Sequence, residues 1–160
     1  MADKEFWTQD FQKGRSQKEY NESYYEEMLY LVNHFSDYSV LGHMDLIVRY
    51  DEMGVYPFEK VKPLIEEILK KVIRDGKGIE VNTSCHRYGL ADSTPSRAIL
   101  RLYHQLGGQI ITIGSDSHKP EHLGTHIEAA KELLRSIGFK SFCTFNQMQP
   151  IFHPLWFSES

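Results

Sequence analysis

Cysteine is nearly absent from this chain. Cys85 and Cys143 are the only two in 160 residues, and no CxxC pair occurs. That excludes a disulfide-stapled scaffold and a zinc knuckle. No apolar run exceeds a few residues, so no segment is long enough to span a bilayer. Basic residues are scattered and never form runs, and the formal net charge is −4. Neither nucleic acid nor an anionic membrane is expected as a partner. The opening "MADKEFWTQD" is acidic and polar where a signal peptide needs a basic and then an apolar region, and a cytoplasmic location is expected. What is present is ordinary for one globular domain: 41% hydrophobic and 25% charged residues.

Residues 1–19 are polar and without period, which predicts a loop or a loosely docked arm. From Tyr20 to Phe35, the set Tyr25, Met28, Leu29, Val32 and Phe35 has helical spacing. "YSVLGH" then reads as a short strand. "FEKVKPLIEEILKKVIRDG" carries Val61, Leu64, Ile65, Ile68 and Val72 on one helical face and stops at Gly76. "GIEVN" is a strand, and "STPSRAILRLYHQLGG" a helix with Thr94 as its expected N-cap. After "QIITIGS", Ile127, Ala130, Leu134 and Ile137 mark a fourth helix closed by Gly138. "FKSFCTF" reads as a fourth strand, and residues 146–160 as an irregular tail with an apolar patch. The alternation of helices with apolar strands predicts an α/β domain: about four parallel strands with covering helices.

In such sheets, chemistry gathers at the carboxyl ends of the strands. Three successive strands end in reactive residues. The first runs into "GHMDLIVRY", with His43, Asp45 and Arg49. The second runs into "EVNTSCHRYG", where Glu80 and Asn82 alternate onto one face and Arg87 follows. The third, "ITIGSDSHKP", ends in Asp116 and His118, which are two residues apart and so share a face of an extended chain. One polar strand end is unremarkable; three in succession predict a shared site.

Two imidazoles and a carboxylate are hard or borderline ligands, suited to Zn²⁺, Mn²⁺ or Fe²⁺. Arginines beside them fit a phosphate, because the guanidinium fork donates to paired oxygens. Metal with arginine points to phosphoester hydrolysis. The competing reading for Arg49 and Arg87 is pairing with local acids such as Asp51 or Glu52.

"LGHMDLIVRY", "GIEVNTSCHRYGL" and "GGQIITIGSDSHKPEHLG" together resemble the C-terminal motifs of PHP-superfamily histidinol phosphatases, over roughly residues 12 to 154. The resemblance implies a partial (β/α) barrel of the PHP type and hydrolysis of L-histidinol phosphate, or another small phosphomonoester, in histidine biosynthesis. By motif match it implies His43, Asp116 and His118 as ligands of a divalent metal, and Arg49 and Arg87 as phosphate holders. Family members begin with an HxH metal motif on their first strand. Residues 1–37 supply only His34, on a helix. The implied metal site is therefore partial, activity of this chain alone is expected to be weak or absent, and a non-catalytic PHP-fold module is the alternative. A homodimer or a complementing N-terminal half is the expected partner, because a partial barrel leaves open sheet edges.

Other residues carry less. Glu80 and Asn82 receive no role. Cys85 and His86 stand where the family has a small residue, so His86 either crowds the phosphate or points to solvent. His104 reads as exposed, and Cys143 as core. His122 and His126 have the i, i+4 spacing that can bind metal, but also that of plain helix-surface histidines.

Overall fold

A computed structural model describes residues 5–156. Among the described residues, five α-helices and five strands follow one another: α1 (Gln9–Gln12), α2 (Gln17–His34), β1 (Val40–Leu41), α3 (Phe58–Arg74), β2 (Gly78–Asn82), α4 (Arg97–Gln105), β3 (Ile111–Gly114), α5 (Ile127–Ile137), β4 (Ser141–Asn146) and β5 (Gln149–Pro154). Strands β1, β2 and β3 form a parallel sheet in that spatial order. The register sets Glu80 beside Thr112 and Asn82 beside Gly114. Ile79, Val81 and Ile111 are buried in this sheet against Ile65, Ile68, Leu69 and Val72 of α3 and Ile99, Leu100 and Tyr103 of α4. Removing these side chains from water supplies the main stabilisation, at about 1.5–3 kcal/mol for each large one.

The expected α/β architecture is present, with two corrections. The expected fourth parallel strand does not join the sheet. β4 instead pairs antiparallel with β5 from Ser141↔Pro154 to Asn146↔Gln149. The hairpin closes through Gln147 and Met148, both at positive φ (48° and 61°), as a two-residue hairpin turn with right-handed strand twist requires. The tail is thus a strand where an irregular segment is expected. Pro150 and Pro154 argue against a strand, yet an outer strand accommodates proline because one edge needs no N–H donors. Residues 157–160 of the expected tail lie outside the described residues.

The second correction is at the amino end. Within the expected loop, α1 forms and buries Phe11, and α2 starts at Gln17. Ser16 closes a capping box: its Oγ accepts from the Glu19 N–H, while the Glu19 carboxylate accepts from the Ser16 N–H at 2.6 Å. The arm is clamped further by Asp51, whose carboxylate accepts from Tyr20 Oη (2.5 Å), Asn21 Nδ2 (2.9 Å), Gln17 Nε2 (3.1 Å) and the Met53 N–H (3.0 Å). Residues 1–4 of the expected arm lie outside the described residues. Of the helical set in α2, Tyr25 and Val32 are buried, whereas Phe35 is exposed at the helix end. Helix α4 is capped by Ser96, not Thr94, because Thr94 is held in a bridge to Asn82. Among the described residues, no helix is long and apolar enough to cross a membrane.

Candidate functional site

The three polar strand ends lie side by side because β1, β2 and β3 are parallel neighbours. Glu80 on the central strand is the pivot. A Cβ added at Gly114 on β3 would stand 2.2 Å from Glu80 Oε1, and one at Gly42 would stand 3.5 Å from Oε2. Glycine on either side therefore makes room for the carboxylate across the sheet. Oε2 accepts the His43 backbone N–H at 3.0 Å and the Asn82 Nδ2 at 3.3 Å. This bond meets the chain where His43 adopts φ of 27°, left-handed backbone that a non-glycine residue rarely takes. Asp116, at the end of β3, is also left-handed with φ of 50°. Such backbone clusters at ligand-holding positions.

Asp116 and His118 do meet: Oδ1 and Nε2 are 3.2 Å apart, and the histidine ring is mostly exposed. Nitrogen and carboxylate oxygen suit Zn²⁺ or a similar ion. Yet among the described residues no three His, Cys, Asp or Glu side chains gather where an ion could bind. The expected convergence of His43, Asp116 and His118 is thus not met: the pair forms and His43 stays outside it. Two donors fall short of the three protein ligands that a catalytic zinc keeps. Asp45 is diverted altogether. It is buried, its Oδ2 accepts the Ser96 N–H at 2.8 Å, and burial pushes its carboxyl up to about 7.

The arginines avoid the local acids. Asp51 is engaged by α2 and by its own loop, and Arg49, at the end of a 3₁₀ turn (Leu46–Arg49), instead donates from Nη2 to Ser84 Oγ at 2.6 Å. Its guanidinium lies 3.6 Å over the Tyr88 ring. Arg87 forks onto two carbonyls of the β3 exit, Ser115 O at 2.8 Å and Asp116 O at 2.7 Å. One arginine thus belongs to β1 and leans on β2, while the other belongs to the β2 loop and leans on β3. His86 does not crowd them; its ring stacks on His126 at 4.2 Å. Burial and the neighbouring imidazole hold His86 below its ordinary range.

Ser84 and Tyr88 receive no role from the sequence, and Asn82 is read there only as part of a polar strand end. The only sequence signal was spacing, since Glu80, Asn82 and Ser84 lie two apart. Cys85 is buried and its thiol pushed up by that burial, which leaves it inert as a nucleophile. Cys143 is buried as expected, and His104 is exposed with Nε2 3.2 Å from Gly138 O.

A three-stranded parallel sheet with carboxylate, imidazole and guanidinium at adjoining strand exits defines an α/β domain whose polar groups gather at the carboxyl ends of its strands. The PHP domain family model matches residues 2–84, and the chain belongs to that family. It is 31% identical over 118 residues to a probable histidinol-phosphatase of Thermotoga maritima, covering 73% of this chain and 48% of that protein. A histidinol-phosphatase of Lactococcus lactis is 28% identical over 145 residues, covering 88% and 52%. The crystal structure of a histidinol phosphate phosphatase from Lactococcus lactis, complexed with zinc, L-histidinol and phosphate, superposes with a TM-score of 0.78 at 26% identity. That match covers 94% of this chain and 58% of the other. The chain spans about half the length of the curated relatives it matches.

Proposed function

We propose that this chain carries the phosphate-binding arm of a histidinol-phosphatase-type phosphomonoesterase, with L-histidinol phosphate as the substrate class. The observation that carries the reading is the pair of guanidinium groups, Arg49 and Arg87, at neighbouring strand ends. Neither makes an ion pair with a carboxylate among the described residues, although Asp51 and Glu52 are close in sequence. A guanidinium held by neutral partners keeps its full charge for an incoming dianion. Arg49 would meet the phosphoryl oxygens from the β1 side and Arg87 from the β2 loop.

In the same reading Asp116 and His118 are this chain's contribution to a divalent-metal centre, and His43, which the resemblance implies as a third ligand, does not join them. Such an ion supplies hydroxide near neutral pH and takes up leaving-group charge. The donor set among the described residues is incomplete for a catalytic zinc. Activity of the chain alone is accordingly weak or absent. The pairing of only two candidate donors also favours the second reading, a PHP-fold module that binds a phosphorylated ligand without turning it over.

Calorimetric titration of inorganic phosphate and L-histidinol phosphate into the full chain, with chelator and then with zinc, tests the proposal. Phosphate binding that is lost in both Arg49→Ala and Arg87→Ala supports it. Unchanged affinity in both variants removes it. Phosphate release with zinc added separates the enzyme from the binding module.

A further inference from the structure

Four side chains form one directed hydrogen-bond chain between the carboxylate of Glu80 and the guanidinium of Arg49. Arg49 Nη2 donates to Ser84 Oγ at 2.6 Å. Ser84 Oγ donates to Asn82 Oδ1 at 2.5 Å, and the Ser84 N–H reaches the same oxygen at 3.0 Å. Asn82 Nδ2 donates to Glu80 Oε2 at 3.3 Å. The bonds run one way, from cation to anion, so each polarises the next. Asn82 and Ser84 are almost wholly buried; neither can swing to solvent and find water instead.

The chain restricts the cation on three sides. Ser84 holds Nη2, the Tyr88 ring covers one face at 3.6 Å, and Nε is buried without an acceptor. Nη1 is left with no protein acceptor among the described residues, and it is the edge that remains for an anion. An unrestrained arginine would lose several rotatable bonds on binding; one fixed beforehand loses little.

We propose that Ser84 is a positioning residue: anchored through Asn82 on Glu80, it aims the Arg49 guanidinium so that the Nη1 edge meets the ligand. The proposal rests on the reading that Arg49 holds phosphate, and it adds what directs the arginine. Ser84 touches no ligand in this scheme. It acts only through Arg49.

The test uses the full chain, kept metal-free with chelator, and has two readouts. The first is ¹⁵N–¹H NMR of the Arg49 guanidinium in the unsubstituted chain. A held Nη2 gives a separate, slowly rotating N–H signal, which Ser84→Ala and Glu80→Gln average out and Ser84→Thr retains. A freely rotating guanidinium in the unsubstituted chain overturns the proposal without any variant. The second is inorganic phosphate affinity. Ser84→Ala is expected to weaken it about fivefold to tenfold, and Ser84→Thr by no more than about twofold. If Thr does not fold in this buried place, Ser84→Cys, which keeps volume with a poor acceptor, should behave like Ala. Loss of the held signal with unchanged phosphate affinity also overturns the proposal, because the aim would then not matter. Absence of phosphate binding in the unsubstituted chain strikes the underlying reading, and the NMR signal still decides whether Ser84 holds Arg49.

Discussion

Asp45 Oδ2 accepts the backbone N–H of Ser96 at 2.8 Å, tying the exit of β1 to the first turn of α4. Ser96 itself caps that helix through its side chain to the Ile99 N–H. An acid in this place satisfies an orphan N–H and meets the positive end of the helix dipole. Its other oxygen, Oδ1, is buried with no partner. The carboxyl therefore fares better protonated, with its folded value about 7 against a reference of 3.8.

Between the two values the unfolded chain is ionised at this position and the folded chain is protonated. Stability is fully present below about pH 4 and falls as pH rises through 7, with a ceiling of ~4 kcal/mol from this group alone. In Asp45→Asn that contribution disappears. Urea midpoints at pH 5 and pH 8 should show the variant gaining on the parent chain at the higher pH; an equal difference at both values would mean Asp45 is already ionised when folded.

Two glycines of the sheet should respond very differently to alanine. A Cβ at Gly78 would stand 2.4 Å from the backbone oxygen of Ile110, an atom fixed by the β2–β3 pairing, and Gly78→Ala is expected to cost about 3 kcal/mol or more. At Gly114 the nearest atom is the end of the Glu80 side chain, which can move. Gly114→Ala should cost about 1 kcal/mol in a melt while displacing Glu80 from the His43 N–H. That displacement is read as faster amide exchange at His43, and an unchanged His43 exchange rate would show that Glu80 keeps its place.

Much of the architecture is legible in the sequence because it is local. Apolar periodicity finds α3, α4, α5 and the three parallel strands, and the apolar strands predict parallel pairing. What escapes is nonlocal or lacks its usual residue. The Gln147–Met148 turn has no glycine and its returning strand carries two prolines, so the β4–β5 hairpin has no local signal. The Ser16–Glu19 capping box was there to be read, in "SQKE", and would have started α2 at its true place. For the site, strand ends point to Arg49, Arg87, Asp116 and His118, but spacing cannot say that Glu80 sits between Gly42 and Gly114. Only lateral strand order does that. The resemblance implies His43 and not Asp45 as a ligand, and it is Asp45, the deeper of the two, that turns toward the helix.

Asp51 gathers four donors from α2 and its own loop, and it is the main tie between the amino-terminal helix and the strand end beside Arg49. Asp51→Ala leaves the Tyr20 hydroxyl buried without its acceptor and the Asn21 amide with the Gln17 carbonyl alone. The expected loss is about 2–4 kcal/mol, measured by urea unfolding. Asp51→Asn keeps the shape but turns one acceptor into a donor facing donors, and should recover less than half of it. Recovery of full stability by asparagine would show that the charge and its acceptors are not what holds the arm.

Arg87 and Arg49 should separate when each is truncated. Arg87 spends two donors on the carbonyls of Ser115 and Asp116, the second of which is the left-handed residue. Charge-assisted bonds to backbone stabilise by about 1.5–3 kcal/mol apiece at most, and partial exposure lowers that. Arg87→Ala is thus expected to cost about 2 kcal/mol and to speed amide exchange over residues 115–118. Lysine cannot fork to two carbonyls at once, so Arg87→Lys should restore the charge but not the protection. Arg49 makes its one bond to a side chain and otherwise rests on Tyr88, so Arg49→Ala should leave exchange at 115–118 unchanged. Phosphate affinity falls in both variants for different reasons: lost charge alone at Arg49, and lost charge with a loosened β3 exit at Arg87. Exchange protection at 115–118 that survives Arg87→Ala would show that the strand exit holds its shape unaided.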